Sequence, residues 1–153
     1  MTADDAAKEG MTHCLAMRSR AVARALTRSF DDALRPFGVT VSQYTLLIAI
    51  RMTASPSITA LAETLEIERS GLSRNMKLLQ SAGLISMDDG GGARARALEL
   101  TTAGRALIEK ALPAWRRAQA DAAARLGVAG EAELHRAFRA LKGERWPHYS
   151  RSQ

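Results

Sequence analysis

One cysteine, Cys14, stands in a chain of 153 residues. A lone thiol cannot close an internal disulfide, and it offers no Cys-rich zinc site. The three histidines, His13, His135 and His148, are scattered with no i, i+4 pairing, so no metal site is expected. No apolar run is long enough to span a bilayer, so no membrane partner is expected. The opening M-T-A-D-D-A-A-K-E-G is polar and acidic, unlike a secretory leader, and the expected location is the cytoplasm. Catalytic constellations are missing too. Gly90-Gly91-Gly92 lacks the following helix and lysine of a phosphate-binding loop. His13 and Cys14 are adjacent, and adjacent helical side chains do not face each other. Neither an enzyme nor a cofactor is expected. Aromatic residues are only 5% of the chain, whereas alanine and leucine are plentiful, a bias that favours helix over sheet.

Positive charge is what the chain has in excess. Lysine and arginine total 22 against 16 acids, a formal net charge of +6. Such a balance suits a nucleic acid or an anionic surface and specifies neither. The length suggests one domain able to bury a core without staples, with room for an oligomerisation arm.

Residues 1–10 read as a loose start or an initial helical turn. Leu15, Val22, Leu26, Phe30, Leu34 and Phe37 recur at helical spacing and predict one long amphipathic helix over 11–37, ended by Pro36 and Gly38. Arg18, Arg20, Arg24, Arg28 and Arg35 fill its other faces as a solvated surface. Thr40 to Gln43 matches a capping box, which predicts a helix over 41–53. Ser57 caps a short helix at 58–65, with Leu61 and Leu65 inward. Glu66-Ile67-Glu68 makes a turn with Ile67 plugging the angle, and the next helix covers 69–81. Gly83 stops that helix in a left-handed position. Leu84 to Met87 and Arg96 to Leu100 predict a hairpin around the triple glycine. Thr101 caps a helix over 102–126 with an apolar seam of Leu107, Ile108, Leu112, Trp115, Ala122 and Leu126, kinked or left with a backbone gap at Pro113 and ended by Gly127. A last helix over 131–142 turns Leu134, Phe138 and Leu141 inward, and Trp146 and Tyr149 of the tail should pack against something.

Helix, turn, helix and ribbon in that order make a module that places its second helix in the major groove. Leu72, Met76 and Leu79 hold that helix down, while Arg69, Ser70, Ser73, Arg74 and Lys77 face out. Arg74 can take a guanine edge bidentately or a phosphate, and Lys77, one turn on, suits a phosphate. An arginine-bearing hairpin is a second DNA element, with Arg94 or Arg96 entering the adjacent minor groove.

These pieces resemble a MarR-family transcriptional regulator. The matching residues are Val41-Ser42-Gln43-Tyr44, Leu61-Ala62-Glu63-Thr64-Leu65, Arg69-Ser70 through Arg74 and Leu79, Gly83-Leu84-Ile85, and Leu98-Glu99-Leu100-Thr101-Thr102-Ala103-Gly104. The resemblance runs from about Thr12 to Leu141. It implies a mainly α fold with a small β-wing. Residues 39–101 would form the winged helix-turn-helix domain that binds DNA, and 1–38 with 102–153 a helical dimerisation region. It also implies a homodimer on double-stranded DNA with an inverted-repeat operator, usually as a repressor released by a small anionic or aromatic effector. The implied dimer interface takes in Leu15, Val22, Leu112, Trp115, Leu126, Leu134, Phe138, Leu141 and Trp146. Three residues depart from the family pattern. Gly92 stands where an aspartate commonly braces the wing arginine, here Arg94, though Asp88 or Asp89 can substitute. Glu66 stands where the turn usually has glycine, and Gly71 where the recognition helix commonly has threonine.

Arg18, Tyr44, Arg51 and Trp115 are candidates to line an effector pocket, and each also reads as packing or surface. Cys14 sits near where the peroxide-sensing branch of the family keeps its reactive cysteine. The tyrosine pair of that branch is absent; Arg18, Arg28 and Phe30 stand on the helix instead. Cys14 therefore reads either as a thiol switch or as a small, partly buried interface residue. A winged-helix module that binds protein rather than DNA is the remaining alternative.

Overall fold

The computed structural model describes residues 1–53, 56–87 and 97–142. Among these, helices cover Ala3–His13 (α1), Leu15–Leu34 (α2), Val41–Met52 (α3), Ile58–Leu65 (α4), Arg69–Ser81 (α5) and Thr102–Lys142 (α6), with a 3-10 turn at Arg35–Phe37. Two strands, Ile85–Met87 (β1) and Leu98–Leu100 (β2), pair antiparallel, with Ser86 opposite Glu99. No single helix among the described residues is long and apolar enough to cross a membrane.

The first helical stretch differs from the expectation in two ways. Residues 3–13 form a full helix rather than a loose start or a single turn, because Thr2 and Asp5 make a reciprocal capping box. The Asp5 N–H donates to Thr2 Oγ1 at 3.2 Å, and the Thr2 N–H donates to Asp5 Oδ2 at 3.0 Å. The predicted single helix over 11–37 is in fact two. Cys14 takes an extended backbone (φ −67°, ψ 109°), closes α1 through its N–H to Gly10 O, and opens α2 by accepting from the Arg18 N–H. One residue thus ends one helix and starts the next.

The second helix forms where its capping box predicts, with Gln43 N–H on Thr40 Oγ1 at 3.2 Å and Thr40 N–H on Gln43 Oε1 at 3.0 Å. A carboxylate from α2 joins it there: Asp31 Oδ1 accepts the Val41 N–H at 2.7 Å, at the positive end of α3. Ser57 caps α4 through the Ala60 N–H at 3.1 Å. The turn into α5 runs through Glu66 in the left-handed region (φ 50°, ψ 44°). A side chain there costs about 1 kcal/mol, which glycine would not. That turn carries Ile67 outward, where it is 42% exposed rather than plugging the angle; Leu61, Leu65, Leu72 and Met76 fill the space instead.

Gly83 ends α5 with φ 69°. Its neighbour Leu84 is the point on which the ribbon's base is fastened. Thr101 N–H donates to Leu84 O at 3.1 Å, and Thr101 Oγ1 donates to Gly83 O at 2.7 Å while accepting the Gly104 N–H at 3.0 Å. A Cβ on residue 104 would lie 2.1 Å from Leu84 O, so only glycine fits. The segment Leu100-Thr101-x-x-Gly104 is therefore a clamp between the start of α6 and the end of α5. Leu98 N–H also bonds Pro56 O at 3.0 Å, which ties the ribbon to the chain ahead of α4.

The long α6 packs on α2 with a line of alanines at its centre; of the predicted seam only Ala122 is buried, while Trp115 and Leu126 meet α2 from half-buried positions. Ala111, Ala114, Ala118 and Ala122 are buried, while Leu107, Ile108, Leu112, Trp115 and Leu126 are half-buried. Small side chains let the two helix backbones approach, and Phe30 meets Trp115 with ring centroids 6.2 Å apart. Pro113 lies within helical backbone angles and leaves the expected gap in the hydrogen-bond ladder, whereas the backbone leaves helical angles at Gly127 (φ 68°, ψ 166°). Pro113 and Glu109 are both exposed, so the carbonyl that loses its partner faces water. Beyond Gly127 the helix resumes at once, and Leu134 and Leu141 do not turn inward. Leu141 is 85% exposed and Phe138 is half-buried. Leu34 and Ala111 belong to the same core as Tyr44, Leu72 and Leu98, so one core runs from the frame helices into the ribbon.

Candidate nucleic-acid interface

Helix α5 divides cleanly. Leu72, Met76 and Leu79 are at most 1% exposed and anchor it on α4 and the ribbon's base. Arg69, Ser70, Arg74 and Lys77 are exposed, with Ser73 half-buried at the margin. These five positions share one face of the helix by its 3.6-residue period, so the structure brings the predicted α5 set together. No side chain caps α5 at Glu68, which leaves its first-turn N–H groups open to an anion. Gly71 lies on the same turn with nothing within 4 Å of the place a Cβ would take. Packing therefore does not demand a glycine there. Its bare backbone leaves room for close approach from outside.

Arg94, Arg96, Gly92, Asp88 and Asp89 lie outside the described residues, as do Trp146, His148 and Tyr149. The ribbon's base is fixed, as the Thr101 clamp shows. A further guanidinium reinforces it: Arg105 donates to Leu100 O at 2.7 Å and to Thr102 Oγ1 at 3.3 Å. Sequence patterning missed Arg105 and Asp31, since neither contact follows a periodic rule. The aspartate's sequence signal would have been an acid ten residues ahead of a capped helix start.

The four candidate effector residues do not converge. Tyr44 is 1% exposed, and its hydroxyl donates to Ile108 O at 3.1 Å, so it is core. Burial pushes its phenol up, with Arg116 pulling weakly the other way, and the group stays a neutral donor at physiological pH. Trp115 packs on Phe30, and the Arg18 guanidinium is spent on Thr12 O. Arg51 alone of the four lines a cleft of about 400 Å³, beside Thr53, Glu99 and Arg105. A second cavity of about 190 Å³ lies between α2 and α6, lined by Val22, Ala25, Leu26, Ser29, Ala122, Arg125 and Leu126. Cys14 is half-buried at the α1–α2 joint. His13 closes α1, and His135 Nε2 stands 3.9 Å from Glu131 Oε1.

Residues 37–95 match the model of the MarR family. An uncharacterized HTH-type transcriptional regulator of Bacillus subtilis, YhbI, is 31% identical over 94 residues; the match spans 61% of this chain and 61% of that relative's length. The transcriptional regulator MosR of M. tuberculosis, solved in complex with DNA, is 34% identical with a TM-score of 0.69, covering 85% of this chain and 99% of MosR. The MarR family protein RV2887 of Mycobacterium tuberculosis, solved with salicylic acid, is 25% identical with a TM-score of 0.62, covering 83% of this chain and 95% of that one.

Proposed function

The chain belongs to the MarR family of transcriptional regulators, and on that footing we propose a homodimeric repressor that reads an inverted-repeat operator in double-stranded DNA and leaves it when a small anionic or aromatic effector binds. The observation that carries this reading is α5, whose one face is wholly buried and whose other face presents Arg69, Ser70, Ser73, Arg74 and Lys77. Ser70 and Ser73 are short enough to let the helix enter the major groove. Arg74 reaches a base edge or phosphate and Lys77 a phosphate. Arg94 and Arg96 extend the contact into the neighbouring minor groove. MosR bound to DNA supports the target, and salicylic acid on RV2887 supports the effector class. The cytoplasm is where such a regulator meets its operator.

The proposed division of labour follows from exposure. Residues 39–101 form the reading head; 1–38 and 102–153 form the dimer frame. Leu15, Val22, Leu134 and Leu141 are exposed on that frame, and apolar area of this extent is covered in solution. Leu112, Trp115, Leu126 and Phe138 flank them, with Trp146 beyond the described residues. The test is genome-wide footprinting followed by sedimentation of the protein alone and on the site found. The reading expects a dimer protecting two inverted half-sites about one helical turn apart. A monomer, or protection of a single half-site, contradicts it.

A further inference from the structure

Among the described residues, no element covers the first helix. Every residue of α1 is exposed, and the helix buries none of its side chains. Eleven residues in water make a marginal helix on their own. Its charge is lopsided: Asp4, Asp5 and Glu9 stand against one lysine, Lys8. The helix after it is lopsided the other way. Four arginines, Arg18, Arg20, Arg24 and Arg28, precede its first acid, Asp31. Arg20, Arg24 and Arg28 recur every fourth residue, so they form one stripe, and all three are exposed. Among the described residues none of the three has an ion pair, whereas Arg35 pairs with Asp32 and Arg136 with Glu133. Asp5 and Glu9 are also four apart, so their rise of about 6 Å matches the step of the stripe.

We propose that α1 docks on a second copy of this chain, laying Asp4, Asp5 and Glu9 along that copy's Arg20–Arg24–Arg28 stripe. This rests on the homodimer reading and names a contact that reading does not require. The apolar side of the docking comes from Met11, 70% exposed, and Leu15, 79% exposed, on either side of the Cys14 joint. A single residue, Cys14, joins the two helices, and among the described residues no ion pair joins α1 to its own stripe. Opposite charges across such an interface set register more than raw affinity, and the contact weakens with salt.

Hydrogen–deuterium exchange on the full chain tests this, with sedimentation on the same samples. The variants are Arg20→Glu/Arg24→Glu/Arg28→Glu, Asp4→Lys/Glu9→Lys, and the two sets combined. Asp5 is left intact because it caps α1, and the arginine set touches no buried residue. Either reversal alone should speed exchange over 5–13 by on the order of tenfold, the combined energy of two or three exposed ion pairs. The combined set should restore slow exchange. Unchanged exchange in the arginine variant, with the dimer intact, overturns the docking and leaves the homodimer standing. Faster exchange without rescue also overturns it. A wild-type monomer removes both. Should the arginine variant instead lose affinity for a non-operator duplex with exchange over 5–13 unchanged, the stripe meets DNA and the docking is wrong.

Discussion

Between Val39 and Leu100 the core leucines are inside: Leu46, Leu47, Leu61, Leu72, Leu79 and Leu98 are at most 2% exposed. In α2 and the end of α6 the pattern inverts, and Leu15, Val22, Leu134 and Leu141 stand in water. Both regions have helical periodicity of the same kind, so sequence pattern alone does not separate them. The difference lies in what each apolar face meets. The head encloses its own leucines and is fastened to the frame helices through the Thr101–Gly104 clamp and the Asp31–Val41 bond. The frame has its alanine line covered by α2 and its leucines left over. One region has its apolar residues enclosed and the other leaves some exposed, as the proposed reading head and dimer frame require.

The sharpest way to break the enclosed region is Gly104→Ala. The new Cβ would meet the Leu84 carbonyl, a backbone group that cannot swing aside. A loss of about 3 kcal/mol in urea unfolding is expected, at the upper end of overpacking costs. Unfolding at the wild-type midpoint would mean that the clamp yields freely. The exposed region is probed by Leu15→Asp and Leu141→Asp. Both sites are exposed in the monomer, so folding should persist while dimer dissociation rises by about 2 kcal/mol each in sedimentation. Unaltered dimer affinity would exclude those residues from the interface.

A smaller effect comes from Gly71→Ala in α5. Nothing crowds the site, so thermal melting should show a gain of up to about 1 kcal/mol. Operator affinity should fall at the same time if the bare backbone faces the groove. The smallest effect concerns α1. Hydrogen bonds from Thr2 to Asp5, the backbone N–H first, hold that carboxyl below its ordinary range. A depressed carboxylate stabilises above its unfolded pKa, and the contribution is lost as pH falls through the folded value. The helical signal of α1 should therefore persist at neutral pH and fade only in acid below the ordinary aspartate range. Fraying near pH 6 in NMR shifts would contradict the cap.

Legibility followed the range of the forces involved. Ser57, Thr40, Gly83 and Gly127 act within one helical turn, and each marks its boundary where the sequence indicates. Thr2–Asp5 is equally local and was masked only by the polar composition around it. The break at Cys14 carries no proline or glycine to announce it. Pro113 announces a kink or a backbone gap, and its exposed setting lets the gap face water. Alanine is neutral in any apolar pattern, so Ala111, Ala114 and Ala118 could not be told from surface, and only Ala122 of that line falls in the seam the sequence indicates. The α5 face was legible because two opposed stripes coincide on one helix. The effector candidates failed to converge because Tyr44, Arg18, Arg51 and Trp115 were grouped by chemistry across three helices, with no local rule to place them.

The central claim is that the exposed face of α5 reads DNA from a rigid base. Fluorescence anisotropy with the footprinted operator at two salt concentrations tests it, using Arg74→Ala and Lys77→Ala. Arg74→Ala should cost about 1–3 kcal/mol per half-site and relax preference at one base pair if that arginine reads an edge. Lys77→Ala should flatten the salt dependence by about one unit of slope with sequence preference unchanged. Wild-type affinity and salt slope in both variants would show that α5 is not the reading helix.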